Sequence, residues 1–84
     1  IEIKDIAKIS VPTLVMAGDD DVVKHSHSIE LFEALPLGQL GIVPGTSHGL
    51  VKEKPELVTA IIKSFLTDQS YPVTRQPIRR TNPA

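Results

Sequence analysis

Two short stretches hold the residues best suited to chemistry. Asp19, Asp20 and Asp21 stand together in Ala17-Gly18-Asp19-Asp20-Asp21-Val22-Val23, and His48 stands in Pro44-Gly45-Thr46-Ser47-His48-Gly49. A carboxylate beside an imidazole fixes the tautomer of the ring and stabilises it once it takes a proton. Those are the second and third parts of a nucleophile–base–orienter relay. Glycines at 45 and 49 let the histidine loop take tight backbone angles and turn the ring over a strand end. Each stretch also has an ordinary use: Asp is common wherever strands stop, and a loop histidine can be a plain surface residue.

Other candidates carry less. The acidic run lacks the alternating spacing and the terminal Glu of a calcium loop. His25 and His27 do not share a helix face, and no third ligand stands near them in sequence, so a zinc site is a poor use of them. Gly45-Thr46-Ser47-His48-Gly49 matches G-x-S-x-G letter for letter. A nucleophile elbow needs a strand running straight into the turn and a helix starting straight after it. Here Pro44 interrupts the entry and Pro55 marks a later helix start. Ser47 also follows the acids, whereas the elbow precedes them. Its side chain diverges from that of its neighbour His48.

The elements must bring the acids and the histidine to one edge. Thr13-Leu14-Val15-Met16-Ala17 is an unbroken apolar run between Pro12 and Gly18, the pattern of a strand buried on both faces of a parallel sheet. Ser26 or Ser28 can cap the helix that follows, whose apolar face is Ile29, Leu31, Phe32 and Leu35. Pro36 and Gly38 end it. Leu40-Gly41-Ile42-Val43 is a second short strand, and Pro44 to Lys54 is a loop. Pro55 at the first helical position starts a last helix, with Leu57, Val58, Ile61, Ile62, Phe65 and Leu66 along one stripe. Before all this, Ile1, Ile3, Ile6 and Ile9 fit a short helical or irregular turn on an apolar surface. After Leu66, Pro72, Pro77, Pro83, Arg75, Arg79 and Arg80 mark an irregular tail, anchored in part through Tyr71, Val73 and Ile78.

The order strand–helix–strand–helix makes the class α/β, a β-α-β-α fragment of a parallel doubly wound sheet with a right-handed crossover. Ligand and catalytic groups collect at the carboxyl ends of such strands. Both strands read as fully buried, yet two helices cannot cover them. The missing layers must come from a parent chain, from another subunit or from local packing.

Size and composition bound the rest. The chain has 84 residues, no cysteine and a formal net charge of -1. It can form one small domain or a piece of a larger one, without disulfides or thiolate ligands. The charge gives no case for nucleic acid or an anionic membrane. Phe32, Phe65 and Tyr71 are too few for base stacking. No run is long enough to span a bilayer, and no signal-peptide pattern opens the chain. The lack of cysteine fits a reducing compartment, and the expected location is cytoplasmic. A first residue of Ile1 fits a segment cut from a longer protein.

The residues Val11-Pro12 through Val23, Ile42-Val43-Pro44-Gly45-Thr46-Ser47-His48, Pro55-Glu56-Leu57-Val58 and Ile62-Lys63-Ser64-Phe65-Leu66 together resemble the C-terminal part of α/β-hydrolase fold enzymes. The resemblance covers about residues 5–66. Its two motifs are fairly specific together and weak apart. The family pattern of Gly-x-x-Asp after a strand, counted from Gly18, implies Asp21 as the catalytic acid, with Asp19 and Asp20 as loop acids. The Pro-Gly-x-x-His turn implies His48 as the catalytic base. Residues 1–66 would then be the C-terminal segment of the hydrolase domain, and residues 67–84 a Pro/Arg-containing tail with no family counterpart. The family's nucleophile elbow lies well upstream of the acid, and the resemblance finds no counterpart here for it, for the oxyanion-hole strand or for a lid.

What the resemblance implies is nucleophilic hydrolysis of an ester-like small-molecule substrate, with no cofactor and no metal, by the intact enzyme. The segment alone would be inactive, and its partner would be the remainder of the hydrolase domain or another copy of itself. The alternative is a non-catalytic strand–helix binding or self-assembly module whose sheet edges pair with a partner.

Overall fold

A computed structural model describes residues 2–68 and 71–80 of the chain. Ile1, residues 69–70 and residues 81–84, with Pro83 among them, lie outside the described residues. The elements in order are α1 (Ile3–Ile6), β1 (Thr13–Gly18), α2 (His25–Ala34), β2 (Gly38–Val43), α3 (Leu50–Glu53) and α4 (Pro55–Thr67).

β1 and β2 form a two-stranded parallel sheet, in register from Thr13 opposite Gly38 to Gly18 opposite Val43. A parallel pair needs a crossover, and α2 supplies it. β2 starts at Gly38 rather than at Leu40. The ladder takes hold as soon as the chain leaves the turn after α2: Thr13 N–H donates to the Leu37 carbonyl at 3.1 Å. Pairing with β1 outweighs the weak strand preference of glycine there.

α2 begins at His25, ahead of both serines read as caps, and Lys24 at its N-cap makes no side-chain capping bond. His25 Nε2 lies 3.1 Å from the Gly18 carbonyl, which ties the first helical residue back to the end of β1. Ser28 is buried inside the first turns instead of capping them. α4 starts at Pro55 as its sequence requires, with Glu56 in the first turn.

The strands are less buried than their apolar sequence implies. β1 is buried only at Ala17 and Gly18, and β2 only at Gly38 and Val43. Two strands with two main helices cannot enclose a sheet whose residues are apolar on both faces. The apolar core among the described residues is Ile6, Ala17, Leu35, Val43 and Val58. On α4, Val58 is buried, Ile61 and Phe65 are half-buried, and Leu57, Ile62 and Leu66 stay exposed.

The tail from 71 is irregular but tethered. Tyr71 OH donates to the Gly38 carbonyl at 3.2 Å. The Arg79 guanidinium sits 4.1 Å from the centre of the Phe32 ring and donates to the Phe32 and Glu33 carbonyls at the end of α2. Arg80 lies over the Tyr71 ring. Ile78, by contrast, is 93% exposed and anchors nothing. Two arginines over aromatic rings, one of them with its guanidinium bonded to backbone carbonyls, hold this segment better than one exposed aliphatic side chain could.

Candidate active site

β1 and β2 end side by side, so the loops that follow them meet. The ladder runs one step beyond the strands, with Asp19 N–H donating to the Val43 carbonyl at 3.2 Å and Asp20 N–H to the Thr46 carbonyl at 2.8 Å. The approach is close enough to demand glycine at 18. A Cβ there would come 2.5 Å from the Thr46 carbonyl oxygen and into the Ser47 carbonyl oxygen. Gly45 has φ of 69°, a left-handed turn that favours glycine. These two glycines let one loop lie against the other.

Asp21 and His48 meet across this junction. His48 Nδ1 stands 3.1 Å from Asp21 Oδ1. The two residues see solvent very differently: the Asp21 side chain is 3% exposed and the His48 side chain 72%. Asp21 also accepts the Val23 N–H on Oδ1 and the Gly18 N–H on Oδ2, each at 3.1 Å. Those two backbone donors, Val23 first, hold its pKa down at about 2 against the opposing effect of burial, with a smaller contribution from His48. The carboxylate is therefore charged, fixed at both oxygens, and free to accept a ring N–H. The His48 ring is otherwise largely open to solvent.

The neighbouring acids differ. Asp19 accepts the Gly45 N–H on Oδ2 at 3.0 Å and the Thr46 N–H on Oδ1 at 3.2 Å. These bonds, in that order, lower its pKa from the ordinary value. The Asp20 side chain is exposed and takes no part in this junction. Among the three adjacent acids, each carboxylate thus has its own environment, which composition could not reveal.

Ser47, the apparent elbow serine, is engaged elsewhere. Its Oγ donates toward both Glu53 oxygens, at 2.9 and 3.0 Å, and its N–H donates to Glu53 Oε1 at 2.7 Å. Glu53 closes α3, a helical turn inside the stretch that the sequence presents as loop. Nothing in the sequence marks Glu53 as part of the site, because the contact depends on α3 folding back on the turn. Thr46 is buried, its Oγ1 donating to the Val43 carbonyl at 2.8 Å.

Beside the Asp21–His48 pair lies an open cleft of about 330 Å³, walled by Val15, Ala17, Val23, Leu31 and Leu50, with His27 on its rim. His25 is taken up by the Gly18 carbonyl. Among the described residues no group of three or more His, Cys, Asp or Glu side chains is arranged to hold a metal ion. Among the same residues no helix is long and apolar enough to cross a membrane.

A parallel strand–helix–strand unit, followed by a further helix and carrying an acid–imidazole pair at its carboxyl edge, is an α/β arrangement similar to part of an α/β-hydrolase fold. Known proteins agree with this assignment. A non-heme haloperoxidase of Rhodococcus erythropolis is 39% identical over 64 residues, which are 74% of this chain and 23% of that protein. RutD of Caulobacter sp. (strain K31), whose name assigns it carbamate hydrolysis only provisionally, is 37% identical over 68 residues, 80% of this chain and 25% of that protein. The crystal structure of a serine hydrolase involved in carbazole degradation, the CarC enzyme, superimposes with a TM-score of 0.75 at 31% identity, over 80% of this chain and 26% of that one. No protein-family model matches the chain. The chain spans about a quarter of the length of the curated relatives it matches.

Proposed function

We propose that this chain is the C-terminal acid- and base-bearing segment, over residues 1–66, of an α/β-fold hydrolase that acts on an ester-like small molecule. Asp21 is the acid and His48 the base. In the complete domain a nucleophile from earlier in the protein attacks the substrate carbonyl. His48 takes the nucleophile's proton on Nε2 and returns one to the leaving group, while Asp21 keeps the Nδ1–H tautomer and stabilises the imidazolium. The relay runs on protein groups alone, without a metal or cofactor. The segment by itself lacks the attacking group and is inactive.

The observation that carries this reading is the 3.1 Å contact between His48 Nδ1 and a shielded, doubly bonded Asp21 carboxylate. An Asp that ends its strand in a plain solvated turn has no need of such a contact. The names of the relatives span haloperoxidase and hydrolase, and one fold hosts many chemistries, so the feature that defines the ester-like substrate is its electrophilic carbonyl.

The test is ester turnover by the protein in which this segment completes its domain. Aryl acetate hydrolysis that disappears in His48→Ala, with the folded state retained, supports the proposal. Undiminished turnover in that variant overturns it. The exposed Leu57, Ile62 and Leu66 on α4 favour a second reading, a self-assembling strand–helix module without activity. That reading predicts a stable oligomer and no turnover in any longer form.

A further inference from the structure

The turn that carries His48 is held at two points by carboxylates other than Asp21. Asp19 grips the backbone at Gly45 and Thr46, one N–H on each oxygen. Glu53 grips Ser47 through its N–H and its hydroxyl. The left-handed Gly45 lies directly in the Asp19 grip. Asp19 also sits one residue past β1, at a point fixed by its own N–H on the Val43 carbonyl. The backbone leading to position 48 is therefore tied to the end of β1 through contacts separate from the one its ring makes with Asp21.

We propose that Asp19 is a positioning residue for His48: its bidentate hold on residues 45–46 locks the histidine turn to the end of β1, so that the imidazole meets Asp21 in one orientation. This deepens the hydrolase reading and rests on it only for the kinetic consequence. The geometry makes a graded demand. A carboxylate can accept both N–H groups at once. Asn offers one acceptor oxygen and turns a donor NH2 toward the second N–H, so it keeps half the hold. Ala keeps none. Asp20 supplies the matched control, because its side chain is exposed and outside the junction.

The experiment has two arms. In the 84-residue chain, NMR reads the Gly45 and Thr46 amide protons and the His48 ring signals. The expected result is fast exchange at both amides and loss of the single His48 ring environment in Asp19→Ala, an intermediate state in Asp19→Asn, and a wild-type pattern in Asp20→Asn. In the complete enzyme, kcat is expected to fall on the order of 100-fold in Asp19→Ala with KM nearly unchanged, the scale set by misplacing a reacting group by about 1 Å. Asp19→Asn should fall between Ala and wild type. Wild-type amide protection and ring signals in Asp19→Ala overturn the latch, as does a kcat loss no larger than the loss of folded protein. A latch seen by NMR together with an enzyme that survives His48→Ala would sink the hydrolase reading and leave the positioning of the loop standing.

Discussion

At the scale of single residues, the environments of the three adjacent acids decide their roles. Asp21 is shielded and meets the imidazole, Asp19 ties two loops together, and Asp20 faces water. If Asp21 holds the tautomer of His48, then Asp21→Asn in the complete enzyme should lower kcat on the order of 10,000-fold with little change in fold, as a wrong tautomer does in such relays. Ser47→Ala should cost little by comparison, since Ser47 is paired with Glu53 rather than aimed at substrate. Steady-state kinetics on the two variants measures both, and a dead Ser47→Ala enzyme with an intact fold would reverse the assignment. The carboxylates also predict a pH response. A carboxyl whose pKa is depressed on folding stabilises the fold above its unfolded value, and that support is lost as pH falls through its folded value. Asp21 is held at about 2 and Asp19 is lowered as well. Stability should hold from neutral pH to about 4, then decline between about 4 and about 2. Urea midpoints followed by circular dichroism across that range measure it, and Asp21→Asn should flatten the decline.

At the scale of elements, two parallel strands of equal length fix where Asp21 and His48 meet. Their carboxyl ends coincide, with Gly18 opposite Val43, so each following loop starts at the same height. The close fit of those loops predicts that Gly18→Ala costs at least about 1–3 kcal/mol, the range for forcing volume into a packed position, because backbone oxygens at residues 46 and 47 occupy the space. Thr46→Val should cost less, about 1 kcal/mol. The Val43 carbonyl that loses the Thr46 hydroxyl still accepts the Asp19 N–H. Thermal melts of both variants test the ranking, and an unperturbed Gly18→Ala would mean that the two loops are further apart than described. The parallel strands, the crossover helix and the Pro55 start of α4 were legible from apolar runs bounded by Pro and Gly. The early start of α2 and the α3 turn were not, since each is tied by a side-chain bond back to a loop six or seven residues earlier, His25 to Gly18 and Glu53 to Ser47, and neither bond follows an apolar pattern.

At the scale of the whole molecule, the chain leaves apolar surface open. Leu57, Ile62 and Leu66 on α4 are exposed, as is Ile42 on β2, and both strands are only part-buried. A two-stranded sheet is a marginal structure by itself. The 84-residue chain should therefore self-associate, with a sedimentation coefficient that rises with concentration. A compact monomer at high concentration would contradict this. Charge changes on the open α4 face, such as Ile62→Glu, should shift the equilibrium toward monomer. In a complete hydrolase domain the same surfaces would be covered by the remaining strands and helices. The tail tethered through Tyr71 and Arg79 holds the opposite end of the sheet, where Gly38 begins β2, so it bears on stability rather than on the Asp21–His48 pair.

Composition and order alone determined the class of fold and put an acidic run and a histidine after consecutive strands. Strand type follows from local apolar runs, and strand direction from the length of the connection between them. The Gly-x-x-Asp and Pro-Gly-x-x-His resemblance already singled out Asp21 and His48, while tertiary structure alone decided that Asp19 holds the histidine turn and that Ser47 is paired with Glu53. Those outcomes depend on where a carboxylate falls relative to a backbone N–H or a hydroxyl once the chain is folded, 26 and 27 residues away for Asp19 and six for Glu53, which a linear pattern does not encode.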